Sequence, residues 1–475
     1  MRSLKKWSPG FGRILDGLII LSYDQLYYRL PYFLKPGVVS GHAFLKKREK
    51  YGRFFRDIFS FLLSSSVDEQ SSKAEEELRF FLSSIRKKRL FYEIPSDLDI
   101  REIPIIDKSI VLQNYDQLLQ EKPYYIGKSS GTTGQPLAIP FSMQAYQKEY
   151  AFWWYHRSFG GVTRGEKVAT IAGHKVIHVN TKKPPFWVMN HAENQLFFSS
   201  YHLSNENLRY YIKALNRFKP TFIHGYPSSI YLLAHYISEN EINLEFQPKM
   251  IVTASETTLD FQKRAIENAF RCKNYIWYGN TECCGHITEC PRGKLHIQPY
   301  HSFVRIVDEQ GNDVQPGEEG CIAATNFTNM AFPLINYNIK DVVRLSREQD
   351  CSCGKGGRVV DYVVGRIEDY IVTPEGRLVG RLDHLFKNAK YVRSAQVEQK
   401  AVNEVIIRIE KEEKFSSEIE RVIYDEARSR LGDKIQIVFD YVDEIPKDTN
   451  GKFRFIVQNL KIRNVMPESS TVHKS

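Results

Sequence analysis

At 475 residues, with 42% hydrophobic content, 29 Phe and 27 Tyr, the chain exceeds what one hydrophobic core supports and is too apolar to be disordered, so one large and one small folded unit are expected. A formal net charge of +10 would suit nucleic acid or an anionic membrane surface. However, residues 1–50 hold ten Lys or Arg against three Asp or Glu, the remainder is nearer balance, and no nucleic-acid motif is present.

The apolar run ILDGLIIL at 14–21 is too short to span a bilayer, carries Asp16 and has no small-residue cleavage site after it, which predicts a cytoplasmic protein. The basic, aromatic start (KKW, then YDQLYYRLPYF) predicts a helix packed on the large domain, with peripheral membrane contact as the alternative. Residues 42–92 show apolar positions at helical spacing, in YGRFFRDIFSFLLSS and AEEELRFFLSSIRKKRLF. From 144 to 270, the apolar bursts KVATIAG, PTFIHG and KMIVTAS alternate with amphipathic stretches such as NLRYYIKALNRF, SSIYLLAHYISEN and TLDFQKRAIENAF. That alternation predicts an α/β fold with a substantially parallel sheet. Between 295 and 372 the pattern turns to short strands, with DEQGND as a turn between two of them, which predicts a β unit appended to the α/β body. The remainder, with strands in YVRSAQVEQKAVNEVIIRIEKEE and KIQIVFDYVDEI and a helix in SSEIERVIYDEARSRLG, suits a small α+β domain.

KSSGTTGQPL at 128–137 is either a flexible connector or a loop whose amides and hydroxyls converge on phosphate. Four segments keep it company: IWYGNTECCG at 276–285, NYNIKDVVRL at 336–345, GRIEDYI at 365–371 and IPKDTNGKFRF at 445–455. Taken singly, Tyr278 could be core, Asp341 a helix cap, Arg366 part of a surface ion pair and Lys452 an ordinary turn lysine. Their order is more specific. A Ser/Thr/Gly loop, then Tyr-Gly-x-Thr-Glu, an Asp, Gly-Arg-x-x-Asp and Pro-Lys-x-x-x-Gly-Lys resembles the adenylate-forming superfamily of acyl-CoA ligases. IPIIDK at 103–108, HGYPSSI at 224–230, TASETT at 253–258 and the closing GKFRF narrow the resemblance to the phenylacetate-CoA ligase family and its capsular polysaccharide biosynthesis branch.

The resemblance implies a helical N-terminal segment (1–100), a main AMP-binding domain (101–366), a mobile C-terminal domain (367–463) and a flexible tail (464–475). It implies ATP-dependent activation of a small carboxylic acid to an acyl-adenylate, then transfer to coenzyme A. Transfer to an amine in cell-surface polysaccharide assembly is the alternative, and a non-catalytic nucleotide-binding scaffold is the alternative of another class. Ser129, Ser130, Gly131, Thr132, Thr133 and Gly134 would cradle the phosphates. Glu282, with Thr281, would hold Mg2+. Tyr278 would stack on adenine, and Ser255, Glu256 and Gly279 would join it around the nucleotide. Asp341 would accept from the ribose hydroxyls, with Arg366 nearby. Tyr226 and Pro227 would wall the acid pocket, Glu368 would be the hinge, and Lys452 would stabilise charge in the transition state. The chain departs from the family at Asn338-Ile339-Lys340-Asp341, which keeps the Asp and loses a glycine, leaving the local backbone in question.

Seven cysteines, an odd number in a long chain without an export signal, argue for reduced thiols or metal ligands over disulfides. Cys290, His296, Cys351 and Cys353 could form a Cys3His structural zinc site, although C-x-C is not the usual C-x2-C spacing. Cys283, Cys284 and His286 lie near enough in sequence to substitute.

Overall fold

The computed structural model describes residues 23–88, 90–128, 137–366, 371–374, 378–379, 382–386, 391–447 and 453–460. The apolar run at 14–21, the loop residues Ser129–Gly134, Glu368, Lys452 and the tail lie outside the described residues.

Helices come first: α1 (Tyr23–Arg29), α2 (Lys35–Lys50), α3 (Arg53–Ser64) and α4 (Val67–Arg86). Their sequences explain them. In α4, the Ser66 hydroxyl accepts from Glu69 N while the Glu69 carboxylate accepts from Ser66 N, which satisfies two otherwise orphan donors. Gln70, Ala74, Leu78, Phe81, Leu82 and Ile85 then recur on one buried face. The helical expectation for 42–92 runs too far, since the helix ends at Arg86 and residues 87, 88 and 90–92 are not helical.

After the short helices α5 (Lys108–Gln113) and α6 (Tyr115–Leu118), strands β1 (Tyr125–Lys128) and β2 (Ala138–Phe141) pair as a hairpin that ends at Lys128 opposite Ala138. Helix α7 (Met143–Ser158) precedes the α/β body. The body contains β3 (Val168–Ala172), β4 (Trp187–Asn190), β5 (Gln195–Ser199), α8 (Asn205–Phe218), β6 (Phe222–Gly225), α9 (Pro227–Glu239), β7 (Met250–Ala254), α10 (Asp260–Phe270) and β8 (Asn274–Tyr278). β8, β7, β6, β3 and β5 are adjacent and parallel in that order, and β4 closes the edge antiparallel to β5.

The β unit comprises β9 (Ile287–Glu289), β10 (Leu295–Ile297), β11 (Phe303–Val307), β12 (Glu319–Thr325), β13 (Tyr337–Leu345) and β14 (Val359–Arg366). It is appended edge-on: β9 pairs antiparallel with β8, so among the described residues twelve strands share one sheet. The C-terminal unit holds β15 (Ile371–Val372), β16 (Leu378–Val379), β17 (Val392–Ala401), β18 (Glu404–Lys411), α11 (Ser417–Leu431), β19 (Gln436–Tyr441) and β20 (Ile456–Gln458). Val397, Val405, Ile407, Ile409, Ile423, Ala427 and Ile456 form its own core, separate from the clusters beneath the large sheet.

Among the described residues no helix is long and apolar enough to cross a membrane.

Candidate active site

In an open α/β sheet, ligands sit beyond the carboxyl ends of the parallel strands. Five loops leave that edge here, one after each parallel strand, and four of them carry the residues of interest. Ser200 follows β5, Tyr226 and Pro227 follow β6, Ser255 and Glu256 follow β7, and Gly279 follows β8. Gly225, the last residue of β6, is required by close approach, because a Cβ there would lie 1.9 Å from the Ile171 carbonyl oxygen.

The sequence-expected nucleotide residues converge from two directions. The Tyr278 hydroxyl, at the end of β8, donates to Asp341 Oδ2 at 2.5 Å. Burial, and next the Asp341 charge, push the Tyr278 phenol well above its ordinary pKa, so it stays a donor. Asp341 on β13 stands directly opposite Arg366 on β14. Glu282 is buried and accepts from the Tyr337 hydroxyl at 3.2 Å. Thr281 packs near Gly127, two residues before Ser129, with its Cγ2 3.2 Å from where a Cβ at 127 would stand. The root of the Ser/Thr/Gly loop is therefore beside Thr281 and Glu282. The missing glycine of the Asp341 motif is replaced by Lys340 at φ +66, a conformation that disfavours an L side chain. Lys340 N on Asn338 Oδ1 at 2.8 Å and Lys340 Nζ on Asp107 at 2.9 Å hold it there.

Lys452 is outside the described residues, but its flanks reach this edge. Lys447 Nζ donates to Ser200 O at 3.1 Å, and Phe453 N donates to Glu256 Oε1 at 2.7 Å. The other Glu256 oxygen accepts from Ser228 N, in the first turn of α9, at 3.2 Å. Glu256, expected at the nucleotide, is thus engaged by backbone amides of α9 and of the C-terminal unit.

Sequence reasoning passed over Glu149. Its Oε1 accepts from Trp153 Nε1 at 3.1 Å and lies 3.3 Å from His286 Nε2, and its Oε2 lies 3.0 Å from His301 Nε2. Burial drives His286 down to about 3 and His301 well below the usual imidazole range, so both are neutral. The two rings stack at 3.7 Å with planes 26° apart. Nearly parallel rings cannot aim both Nε2 lone pairs at one ion, whereas each can donate to its own carboxylate oxygen. Glu149 therefore ties α7 to the loop carrying Gly279, Thr281 and Glu282. An isolated Glu on a helix carries no local signal of such contacts.

The four expected zinc ligands do come together. The Cys290, Cys351 and Cys353 sulfurs and a His296 nitrogen all lie within 4.8 Å of one another, with Cys290 Sγ 3.8 Å from Cys351 Sγ and His296 Nε2 3.4 Å from Cys353 Sγ. His296 Nδ1 sits 2.8 Å from Gly357 O, which fixes the tautomer that leaves Nε2 free to ligate. Cys283, Cys284 and His286 turn elsewhere: the thiols lie near Thr281 O and Glu282 O, and His286 meets Glu149.

The family model of AMP-binding enzymes matches residues 64–331, and that of the CapK C-terminal domain matches 371–459. Protein CapK of Staphylococcus aureus is 27% identical over 438 residues, covering 89% of this chain and 96% of that protein. Phenylacetate-coenzyme A ligase of Pseudomonas putida is 23% identical over 297 residues, 58% of this chain and 64% of that enzyme. 2-Hydroxyisobutyryl-CoA ligase, solved in the postadenylation state with 2-HIB-AMP, shares the fold with a TM-score of 0.56 at 14% identity over 91% of both chains.

Proposed function

The chain belongs to the AMP-binding enzyme family, a family of adenylate-forming ligases, and on that premise we propose that it activates a small carboxylic acid with ATP and passes the acyl group to coenzyme A. The acid's carboxylate attacks the α-phosphate, the bond to the β-phosphate oxygen breaks, and pyrophosphate leaves. The acyl-adenylate then meets the thiol. The observation that supports this most is the meeting of Tyr278, Asp341, Glu282 and both flanks of Lys452 at one carboxyl edge.

Phosphoryl chemistry of this kind is catalysed by positioning and charge neutralisation more than by covalent groups. In this proposal the 129–134 amides and hydroxyls cradle the phosphates, Asp341 binds the ribose and Tyr278 covers the adenine. Arg366 and Lys452 offset the charge that spreads in the transition state. Glu282 and Thr281 offer the hard oxygen donors that Mg2+ takes, and a bound ion would neutralise phosphate charge.

Pyrophosphate release with ATP and Mg2+ across aryl, fatty, amino and sugar acids tests the reading. Acid-dependent release is expected, and dependence on added coenzyme A separates thioester from amide formation. Release with no acid in the panel refutes adenylation of these classes. Lys452→Ala should abolish release and leave ATP binding intact, and undiminished release would remove that lysine from the mechanism.

We also propose that Cys290, His296, Cys351 and Cys353 hold a structural zinc ion, because four protein ligands leave no open position for catalysis. Metal analysis should find one zinc per chain, lost together with thermal stability in Cys351→Ser. A metal-free wild type of equal stability would refute this.

A further inference from the structure

We propose, independently of the adenylation reading, that the outer face of α1 and α2, with the loop beside them, docks on an anionic phospholipid bilayer, on whose surface the protein rests.

Helix α2 is built inside out. Lys35, Ala43, Lys46 and Lys50 share the face turned toward the body, with Lys35 and Ala43 buried and the other two half-buried. The Lys35, Lys46 and Lys50 ammonium groups lie 4.3, 5.5 and 5.1 Å from the ring centroids of Tyr27, Tyr124 and Tyr150, which accommodates the cations against the body. Gly37, Gly41, Phe44 and Arg48 recur along the opposite, exposed stripe, with Leu45 beside it. Phe44 is 70% and Leu45 72% exposed. At the other end of the helix, the turn Tyr32–Leu34 leaves Phe33 75% exposed. A helix that met only water would turn these apolar side chains inward and its lysines out.

The face is held in place. The Tyr27 and Tyr28 hydroxyls donate to Val176 O at 2.9 Å and Lys175 O at 2.8 Å. The Tyr32 hydroxyl donates to Trp187 O, and His191 N to Ser40 Oγ, both at 2.9 Å. Packing on the large domain is thus compatible with an outward face that meets lipid.

Charge selects the occupant. Residues 26–50 hold six Lys or Arg against one acid, Glu49. The loop that receives the α1 hydroxyls adds exposed Lys175, Val179, Lys182 and Lys183, with no acid in residues 174–183. Apolar knobs among cations fit a surface that is negative at its headgroups and apolar beneath them. A second copy of the chain on a two-fold axis would bring like charges together.

Sedimentation of the full chain with sucrose-loaded vesicles tests this. An equimolar mixture of phosphatidylcholine and phosphatidylglycerol should bind about tenfold more tightly than phosphatidylcholine alone, and high salt should remove most of the difference. The pair Phe44→Ser with Leu45→Ser should weaken binding to the mixture by about tenfold, as should Lys182→Gln with Lys183→Gln. Urea unfolding of both pairs should match the wild type, because all four side chains are exposed. Phe44→Trp should keep binding, and its added emission should shift to the blue on the mixed vesicles. A wild type that pellets with neither lipid, or equally with both, overturns the proposal, as does undiminished binding by the Phe44 and Leu45 pair. A vesicle-free dimer that this pair dissociates would assign the face to a second copy and overturn it too.

Discussion

Tyr278 and Asp341 are 63 residues apart and meet through one hydrogen bond. Each residue was expected at the nucleotide, but their pairing was not legible, because nothing local in either segment encodes a contact between β8 and β13. A phenol donating to a carboxylate fixes that carboxylate's orientation before ligand arrives, and such charge-assisted bonds contribute about 1.5–3 kcal/mol. Tyr278→Phe should therefore raise the KM for ATP by roughly tenfold and leave kcat within about threefold, as read by pyrophosphate release at varied ATP. An unchanged KM would show that the bond does not prepare the site. Lys340 teaches a related lesson. Losing the motif's glycine left the backbone in question, and the chain keeps the left-handed turn at φ +66 with a lysine instead.

At the scale of elements, the periodicity of the helices and the apolar bursts of β3, β6 and β7 were readable, since a buried parallel strand and an amphipathic helix each leave a repeat in the chain. Boundaries were less so, as the overrun of α4 shows. Glycine meanings also depend on partners. In β6, Ala at 225 would drive a methyl into the Ile171 carbonyl, 1.9 Å away, so Gly225→Ala should destabilise by more than about 2 kcal/mol. Within α2, Gly37 and Gly41 have nothing within 4 Å of a new Cβ, so Ala at either should stabilise by about 0.5–1 kcal/mol. Urea unfolding of the three variants separates the cases, and a stable Gly225→Ala would refute the close approach.

Over the whole molecule, the large domain buries several imidazoles. Burial lowers His156 and His286 to about 3 and takes His224 and His301 well below their ordinary value. The sign follows from linkage. Unfolded histidines bind protons below pH ~6.5 and these folded ones do not, so their contribution is fully present above pH ~6.5 and is lost progressively as pH falls toward 3. Each adds a slope of roughly 1.4 kcal/mol per pH unit in that window. Urea titrations should find the protein less stable at pH 5 than at pH 7 by about 2 kcal/mol or more, and equal stability would show these rings take up protons in place. Replacing His301 with Gln should flatten part of that slope.

The chain by itself determined the fold class, the order of the motifs and the identity of the Cys and His quartet, because those follow from local periodicity, residue chemistry and spacing. Only the tertiary structure decided which of these groups touch. Glu256 meets an amide of the C-terminal unit, Glu149 meets two histidines, and Lys447 reaches the end of β5. Those contacts join residues more than a hundred positions apart, and a pairing of that kind is set by how sheets and domains pack, not by any signal a short segment can carry.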